Sequence, residues 1–220
     1  MRQAHYRDAI ADQPLDLGPI NRKRLHDGFR PFEKLTLTHR SIDGTRDVGP
    51  LSREIISTGS VAIVVPYDPT LDAIVVLRQF RIGAALKTPN AAAIELPAGL
   101  IDEGEAPEAG AARELLEETG LTTLAIDRCF TMLSSPGLTD EYAIVFLALV
   151  DASQLATSGG LAVEHEDIRP ILAPVDTLIG AVDEGRCENG FVIACTHWFA
   201  RLGRARAASL RVDIALEPRP

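Results

Sequence analysis

Glu105, Arg113, Glu114, Glu117 and Glu118 crowd into one short segment, GLIDEGEAPEAGAARELLEETGL, from Gly99 to Leu121. On a helix turning about 100° per residue, Glu114 and Glu118 stand one turn apart with Glu117 beside them. Arg113, Glu114, Glu117 and Glu118 fill one arc, while Ala111, Ala112, Leu115 and Leu116 share the opposite face, which should bury. Like charges at this spacing disfavour a helix by about a few tenths of a kcal/mol per pair unless something neutralises them. Arg113 can pair with Glu117 at i,i+4, but it cannot balance three carboxylates. A solvated acidic face is one reading of such a helix. The other is a site for a hard divalent cation, Mg2+ or Mn2+, which takes carboxylate, phosphate and water oxygens. The preceding loop favours the cation, because beyond Gly99 it can return Glu105 and a main-chain carbonyl near Ala98 to the carboxylate face.

The elements that must hold this helix are legible around it. Pro107 in its first turn and Gly120 just past its end are helix punctuation. Upstream, VAIVV and AIVVLRQF, split at Asp68-Pro69, read as a half-buried hairpin rich in β-branched residues. Ala93 to Leu96 reads as a short strand. Further strands are expected at Leu124 to Met132, Tyr142 to Val150 and Ile168 to Pro174, and helices at Asp176 to Glu184 and Gly190 to Leu202. Residues 1–57 carry two β-like runs, Leu35 to His39 and Leu51 to Ile56, with the turn signal Asp43-Gly44 between them. A piece of that size is too small to hold a good core alone. The expected organisation is a β-rich N-terminal segment over 1–57, a main domain over 58–205 and a tail over 206–220.

Composition narrows the function. The chain of 220 residues has 22 Lys+Arg against 31 Asp+Glu, a net charge of −9, and 46% hydrophobic residues. This balance disfavours nonspecific nucleic-acid binding, which needs a basic footprint, and it suits a globular domain rather than a disordered one. The N-terminus is polar where a signal peptide needs an apolar core, and Ala143 to Val150 is too short to cross a bilayer. Cys129, Cys187 and Cys195 lack metal-type spacing and are expected to be inert buried thiols. His5, His26, His39, His165 and His197 share no metal spacing, and Trp198 and Phe199 are expected in the core. A cytoplasmic protein with no membrane and no nucleic-acid partner is the expectation.

The segment Gly99 to Leu121 resembles a complete Nudix box. That signature is glycine, five residues, glutamate, seven residues, Arg-Glu, an aliphatic, any residue, Glu-Glu, any residue, glycine and an aliphatic. It is filled here by Gly99, Glu105, Arg113, Glu114, Leu115, Glu117, Glu118, Gly120 and Leu121. The resemblance implies an α/β class fold, the Nudix α/β/α sandwich with a mixed sheet, and hydrolysis of a nucleoside diphosphate linked to another moiety with Mg2+ or Mn2+. It implies Glu114 and Glu118 as direct metal ligands, Glu117 and Glu105 as further or water-mediated ligands, Ala98 as a carbonyl ligand, and Arg113 as the residue that orients the glutamates.

Residues outside the box are similar to those of the ADP-ribose pyrophosphatase subgroup. In SSPGLTDE, Pro136 lies 15 residues beyond Leu121, about where the subgroup carries a proline, although Gly137 is followed by Leu138 and not by a second glycine. Glu141 matches a position that contacts the distal ribose. AVEHEDIR resembles the loop that carries the catalytic base, with Glu164 the better match and Glu166 the second candidate. In LRQFRIGA, Arg81 matches an arginine that contacts substrate phosphate, a role that its planar donor fork suits, whereas Arg78 could equally be a surface residue. Arg53, and less so Glu54, are candidates for the nucleotide end. In related enzymes the N-terminal region contributes to a homodimer and supplies an aromatic against adenine; Phe29 is the candidate here, with a core role its alternative. The implied reaction is metal-dependent hydrolysis of ADP-ribose to AMP and ribose 5-phosphate. Its rivals are another nucleoside diphosphate sugar, such as ADP-glucose or GDP-mannose, and a noncatalytic nucleotide-sugar sensor.

Overall fold

The computed structural model describes residues 10–160 and 166–216, with side chains as far as Arg211. The chain forms two compact units, one of residues 1–58 with 135–140, the other of 59–134 with 141–220.

The first unit is a three-stranded antiparallel sheet in the order β1 (Asn21–Asp27), β2 (Pro31–Arg40), β3 (Asp47–Ile56). The two β-like runs read from the sequence fall within β2 and β3. β1 has no such signal, because NRKRLHD holds one aliphatic residue and is exposed throughout. Residues 135–140 close this unit: Ile56 N–H donates to the Leu138 carbonyl at 2.9 Å, and the Asp140 carboxylate accepts from Thr58 N–H at 2.6 Å and Ser57 Oγ at 2.8 Å.

The second unit is a mixed seven-stranded sheet between two helical layers, as the resemblance implies. Its main path runs β10 (Ile168–Pro174), β5 (Ala73–Phe80), β4 (Ser60–Asp68), β9 (Tyr142–Leu149), β8 (Ala125–Leu133), and only β4 and β9 pair in parallel. A central strand covered on both faces reads as an unbroken apolar run rather than an alternating one, and Val61 to Tyr67 is buried along its whole length. Ala62, Val64, Val75 and Phe146 face a helix α2 (Pro107–Thr119) through Ala111 and Leu115. Ile63, Val65, Val76 and Leu147 face the other layer, α3 (Val175–Asp183) and α4 (Gly190–Trp198), through Leu178, Val192 and Phe199.

β4 and β5 pair only near their hairpin, at Tyr67 with Ile74 and Asp68 with Ala73. Beyond that they part, and two short strands fill the gap: β6 (Ala92–Glu95) on β5 and β7 (Ala98–Leu100) on β4. A one-turn helix α1 (Ile82–Ala85) follows β5. The split places the Leu96-Pro97 link between strands, where Val64 N–H donates to the Pro97 carbonyl at 2.8 Å, and it presents Ala98 and Gly99 to α2.

Two expectations are corrected. The buried face of α2 is rotated from the one read on the wheel: Leu116 is 49% exposed, while Glu118 is only 5% exposed, because the helix turns its last glutamate toward β7. The C-terminal helix does not stop at Leu202. After α4, Phe199–Gly203 form a π-helical turn and α5 (Arg204–Leu216) continues, as suits a run rich in Ala, Arg and Leu. Phe199 is buried and packs on Tyr67 at 4.9 Å between centroids, and Trp198 packs on Phe130 at 5.6 Å. Cys187 and Cys195 are buried as expected, but Cys129 is only partly so.

Candidate active site

α2 starts at Pro107 and ends at Gly120, whose φ of 73° is the left-handed cap that glycine adopts at little cost. Between these ends, Arg113 is the hub of the carboxylate cluster. Its Nε donates to Glu105 Oε1 at 3.0 Å, its Nη1 to Glu114 Oε1 at 2.7 Å, and its Nη2 to Glu105 Oε2 at 3.1 Å and to the Leu100 carbonyl at 2.9 Å. Glu117 is its most distant partner, at 3.5 Å from Nη1. The i,i+4 pairing expected from the sequence is therefore the weakest of these contacts. Because the hub arrangement uses both edges of the guanidinium, Arg113 orients the glutamates and has little left for a ligand.

The glutamates differ in their surroundings. Arg113, aided by Asp102 N–H, holds the Glu105 carboxyl below its ordinary range. Burial pushes Glu114 up against the opposing pull of Arg113, and Glu117 and Glu166 push it further. Burial raises Glu118 most, to about 8, and Glu114 and Glu166 add to this although Ala98 N–H donates to Glu118 Oε2 at 2.9 Å and Arg81 opposes the rise. Gly99 lies flat beneath Glu114: a Cβ there would overlap the Glu114 carboxylate. The glycine of the box thus lets the main chain pass the carboxylate.

Among the described residues no three of His, Cys, Asp or Glu already converge as a metal cage. Glu114 is drawn to Arg113 and Glu118 to the Ala98 N–H. The donor set still fits a hard cation. Glu114, Glu118 and Glu166 are oxygen donors, and burial, with Glu166 nearby, raises the proton affinity of Glu114 and Glu118, as in a site short of positive charge; Mg2+ commonly takes only one or two carboxylates, completing its shell with water and phosphate.

Arg81, at the end of β5, is held from the other side. Its Nε donates to Glu95 at 2.9 and 3.0 Å and its Nη2 at 2.7 Å. The Glu95 pair raises its pKa, and Glu118 and Glu166 contribute at longer range. Glu95 also accepts from Asn189 Nδ2 at 3.2 Å. Arg81, Glu95 and Asn189 line a cleft of about 930 Å3 that also carries Arg78, Lys87 and Arg186. Glu95 and Asn189 were not singled out from the sequence. A lone acid inside the apolar run AAAIEL was the available signal, since a buried charge requires a partner.

Of the other expected site residues, Glu166 lies within electrostatic reach of Glu114, Glu118 and Arg81. Gly160 N–H donates to the Glu117 carbonyl at 3.1 Å, and Gly159 bridges Ile168, so the chain returns to α2 just before 161–165. Glu164 lies outside the described residues, whereas Glu166 is half-buried beyond them. Glu141 immediately precedes β9 and is half-buried, and Pro136 is exposed. Arg53 and Glu54 sit on β3 of the first unit, exposed, with Arg53 Nη1 donating to the Ser52 carbonyl at 2.8 Å. Phe29 belongs to the same unit and is 93% exposed, with Arg30 4.8 Å above its ring. That position excludes a core role for Phe29 within its unit.

Comparison with known proteins identifies the family. A family model described as NUDIX domain matches residues 57–185. The chain is 33% identical over 183 residues to the ADP-ribose pyrophosphatase of Escherichia coli strain K12, covering 83% of this chain and 87% of that one. It is 30% identical over 186 residues to the ADP-ribose pyrophosphatase of Haemophilus influenzae, covering 83% and 85%. It is also 30% identical over 175 residues to a GDP-mannose pyrophosphatase of Enterobacter sp. strain 638, covering 78% and 88%. Among the described residues, no helix is long and apolar enough to cross a membrane.

Proposed function

The chain belongs to the Nudix family and is a Nudix pyrophosphohydrolase, and from that premise we propose that it hydrolyses ADP-ribose to AMP and ribose 5-phosphate with a divalent cation, Mg2+ or Mn2+. One observation carries the reaction type. Glu118 and Glu166 lie within electrostatic reach of both Glu114 and Arg81, so one place in the fold offers both a carboxylate set for a cation and an arginine for a phosphate. The relatives carry the choice of substrate: the two ADP-ribose pyrophosphatases align over 83% of this chain and the GDP-mannose pyrophosphatase over 78%.

In the mechanism this reading implies, Glu114 and Glu118 would hold the cation, with Glu117 and the Ala98 carbonyl as further ligands. Glu105 contributes less directly, since Arg113 and Asp102 N–H already engage its oxygens. When bound, the cation supplies positive charge against the diphosphate and the departing phosphate, and it acidifies water. Arg113 keeps Glu114 and Glu105 in place, and Arg81 binds a phosphate oxygen through its guanidinium. We assign proton removal from the attacking water to Glu164, with Glu166 the alternative, because a carboxylate is a competent general base once it lies within reach of the water. Glu141 binds the distal ribose, and Arg53 and Phe29 take the adenosine end in a homodimer of cytoplasmic protein.

A second reading, hydrolysis of another nucleoside diphosphate sugar, is favoured by the similarity to GDP-mannose pyrophosphatases. A panel of ADP-ribose, ADP-glucose and GDP-mannose separates the two. ADP-ribose should give the highest kcat/KM, and a clearly higher value for GDP-mannose would replace it as the substrate. Glu164→Gln should lower kcat with metal dependence kept. The same loss from Glu166→Gln alone would exchange the two roles.

A further inference from the structure

Glu95 is a buried carboxylate beside the cluster that the reaction as described above does not use. It is 8% exposed, and both its oxygens are occupied: Oε1 accepts from Arg81 Nε and Asn189 Nδ2, and Oε2 from Arg81 Nε and Nη2. A carboxylate so engaged has no free edge for a cation, which separates it from Glu114 and Glu118 in kind. Its contacts determine what Arg81 can do. A guanidinium presents two forked edges, Nε with Nη2 and Nη1 with Nη2. Glu95 takes the first and leaves the second with no partner among the described residues.

Asn189 fixes the far side of this arrangement. Its Oδ1 caps α4 by accepting from Phe191 N–H at 2.9 Å and Val192 N–H at 3.2 Å, and this leaves the amide nitrogen to hold Glu95. The order of restraint therefore runs from the rigid start of α4, through Asn189 and Glu95, to Arg81. Arg81 is otherwise half-exposed, with its side chain 50% accessible, and on a long side chain such freedom would have to be lost on binding.

We propose that Glu95 is a positioning residue, which with Asn189 locks one edge of the Arg81 guanidinium so that its other edge is preset for the diphosphate of the substrate. This rests on the reading of Arg81 as a phosphate contact. The role is one of geometry: Glu95 does not touch substrate, and it acts only through Arg81. Glu95→Gln keeps the shape but offers one acceptor and an amide that opposes the arginine donors, so it releases the guanidinium.

The test is a double-mutant cycle on the full chain with Mg2+, read as KM and kcat for ADP-ribose and for GDP-mannose, with the thermal midpoint of each variant. Arg81→Ala and Glu95→Gln should each raise KM, Glu95→Gln by about tenfold, the size of one lost charge-assisted hydrogen bond, with kcat changed less than twofold. Glu95→Gln should then add nothing to KM once Arg81 is alanine. Asn189→Ser, which retains a capping oxygen for α4 but loses the donor to Glu95, should raise KM by about two- to threefold, and it keeps the test open if Glu95→Gln folds poorly. Unchanged KM in both Glu95→Gln and Asn189→Ser, or KM effects that multiply in the Arg81→Ala background, would overturn the positioning role while leaving Arg81 as a phosphate contact. An Arg81→Ala variant with wild-type KM would remove the phosphate contact itself, and the positioning role with it.

Discussion

Two arginines of the second unit are each held by carboxylates, yet they are held for different ends. Arg113 donates to Glu105, Glu114, Glu117 and the Leu100 carbonyl, so both its edges are occupied and it ties a helix to the loop before it. Arg81 is gripped along one edge by Glu95 and keeps the other. The difference teaches how to read an arginine near a phosphate-processing site: a fully engaged guanidinium is a scaffold for other groups, and a half-engaged one is a binding group. Loss of the first should cost catalysis and stability together, whereas loss of the second should cost affinity.

The largest expected effect tests the scaffold. Arg113→Ala should lower kcat about a hundredfold or more, because misplacement of a catalytic group by about 1 Å carries a loss of that size. It should also lower the thermal midpoint, since Glu105 and Glu114 lose their counter-charge. A variant that lost affinity alone would erase the distinction between the two arginines.

Next in size is Arg81→Ala, for which KM should rise about thirtyfold, as suits a side chain whose contribution is to binding, while the thermal midpoint should fall by about a few degrees because the buried Glu95 loses its main counter-charge. Chemical denaturation beside steady-state kinetics would check this. A marked fall in stability with unchanged KM would place Arg81 with Arg113.

A smaller effect sharpens the contrast on the Arg113 side. Glu114 lies between Arg113 and the main chain of Gly99, so Gly99→Ala should displace the carboxylate and cut kcat about tenfold. Raising the Mg2+ concentration should recover part of that loss. Wild-type kcat in this variant would mean that Glu114 need not stay where Arg113 holds it.

The smallest expected effect concerns Glu118 without metal. Its pKa is raised to about 8 by burial and by Glu114 and Glu166, above the ordinary carboxylate value. An acid of this kind favours folding most when protonated, so its contribution is fully present below about 4.5 and fades as pH rises toward 8. In EDTA the thermal midpoint should therefore rise by about a few degrees between pH 8 and pH 5.5, and Glu118→Gln should flatten that slope. An unaltered slope in Glu118→Gln would assign the pH dependence to other groups.

Much of this site was legible in the sequence because its chemistry is local. Glu105 through Glu118 lie on one helix and the loop that precedes it, where spacing alone fixes proximity. What the helical wheel missed was rotation: Glu118 turns inward because Ala98 N–H waits on β7, a partner 20 residues away that no periodicity reveals. The Glu95 and Asn189 contacts were illegible for the same reason, since they join β6 to the start of α4 across 94 residues. β1 escaped because its residues are polar and exposed on a small sheet, and strand propensity is weakest where packing does not enforce it. The strands β4, β5 and β9 were readable because burial on the core leaves long apolar runs rich in Val, Ile and Leu.

The most direct test of the central claim is product analysis of ADP-ribose incubated with the full chain, in Mg2+ and in EDTA, beside the Glu118→Gln variant. Equal amounts of AMP and ribose 5-phosphate should form in Mg2+ with the wild-type chain, with at most traces in EDTA or with Glu118→Gln. Undiminished release in EDTA, or full activity in Glu118→Gln, would contradict a cation held by the carboxylate helix; no AMP from ADP-ribose under any condition would contradict the substrate.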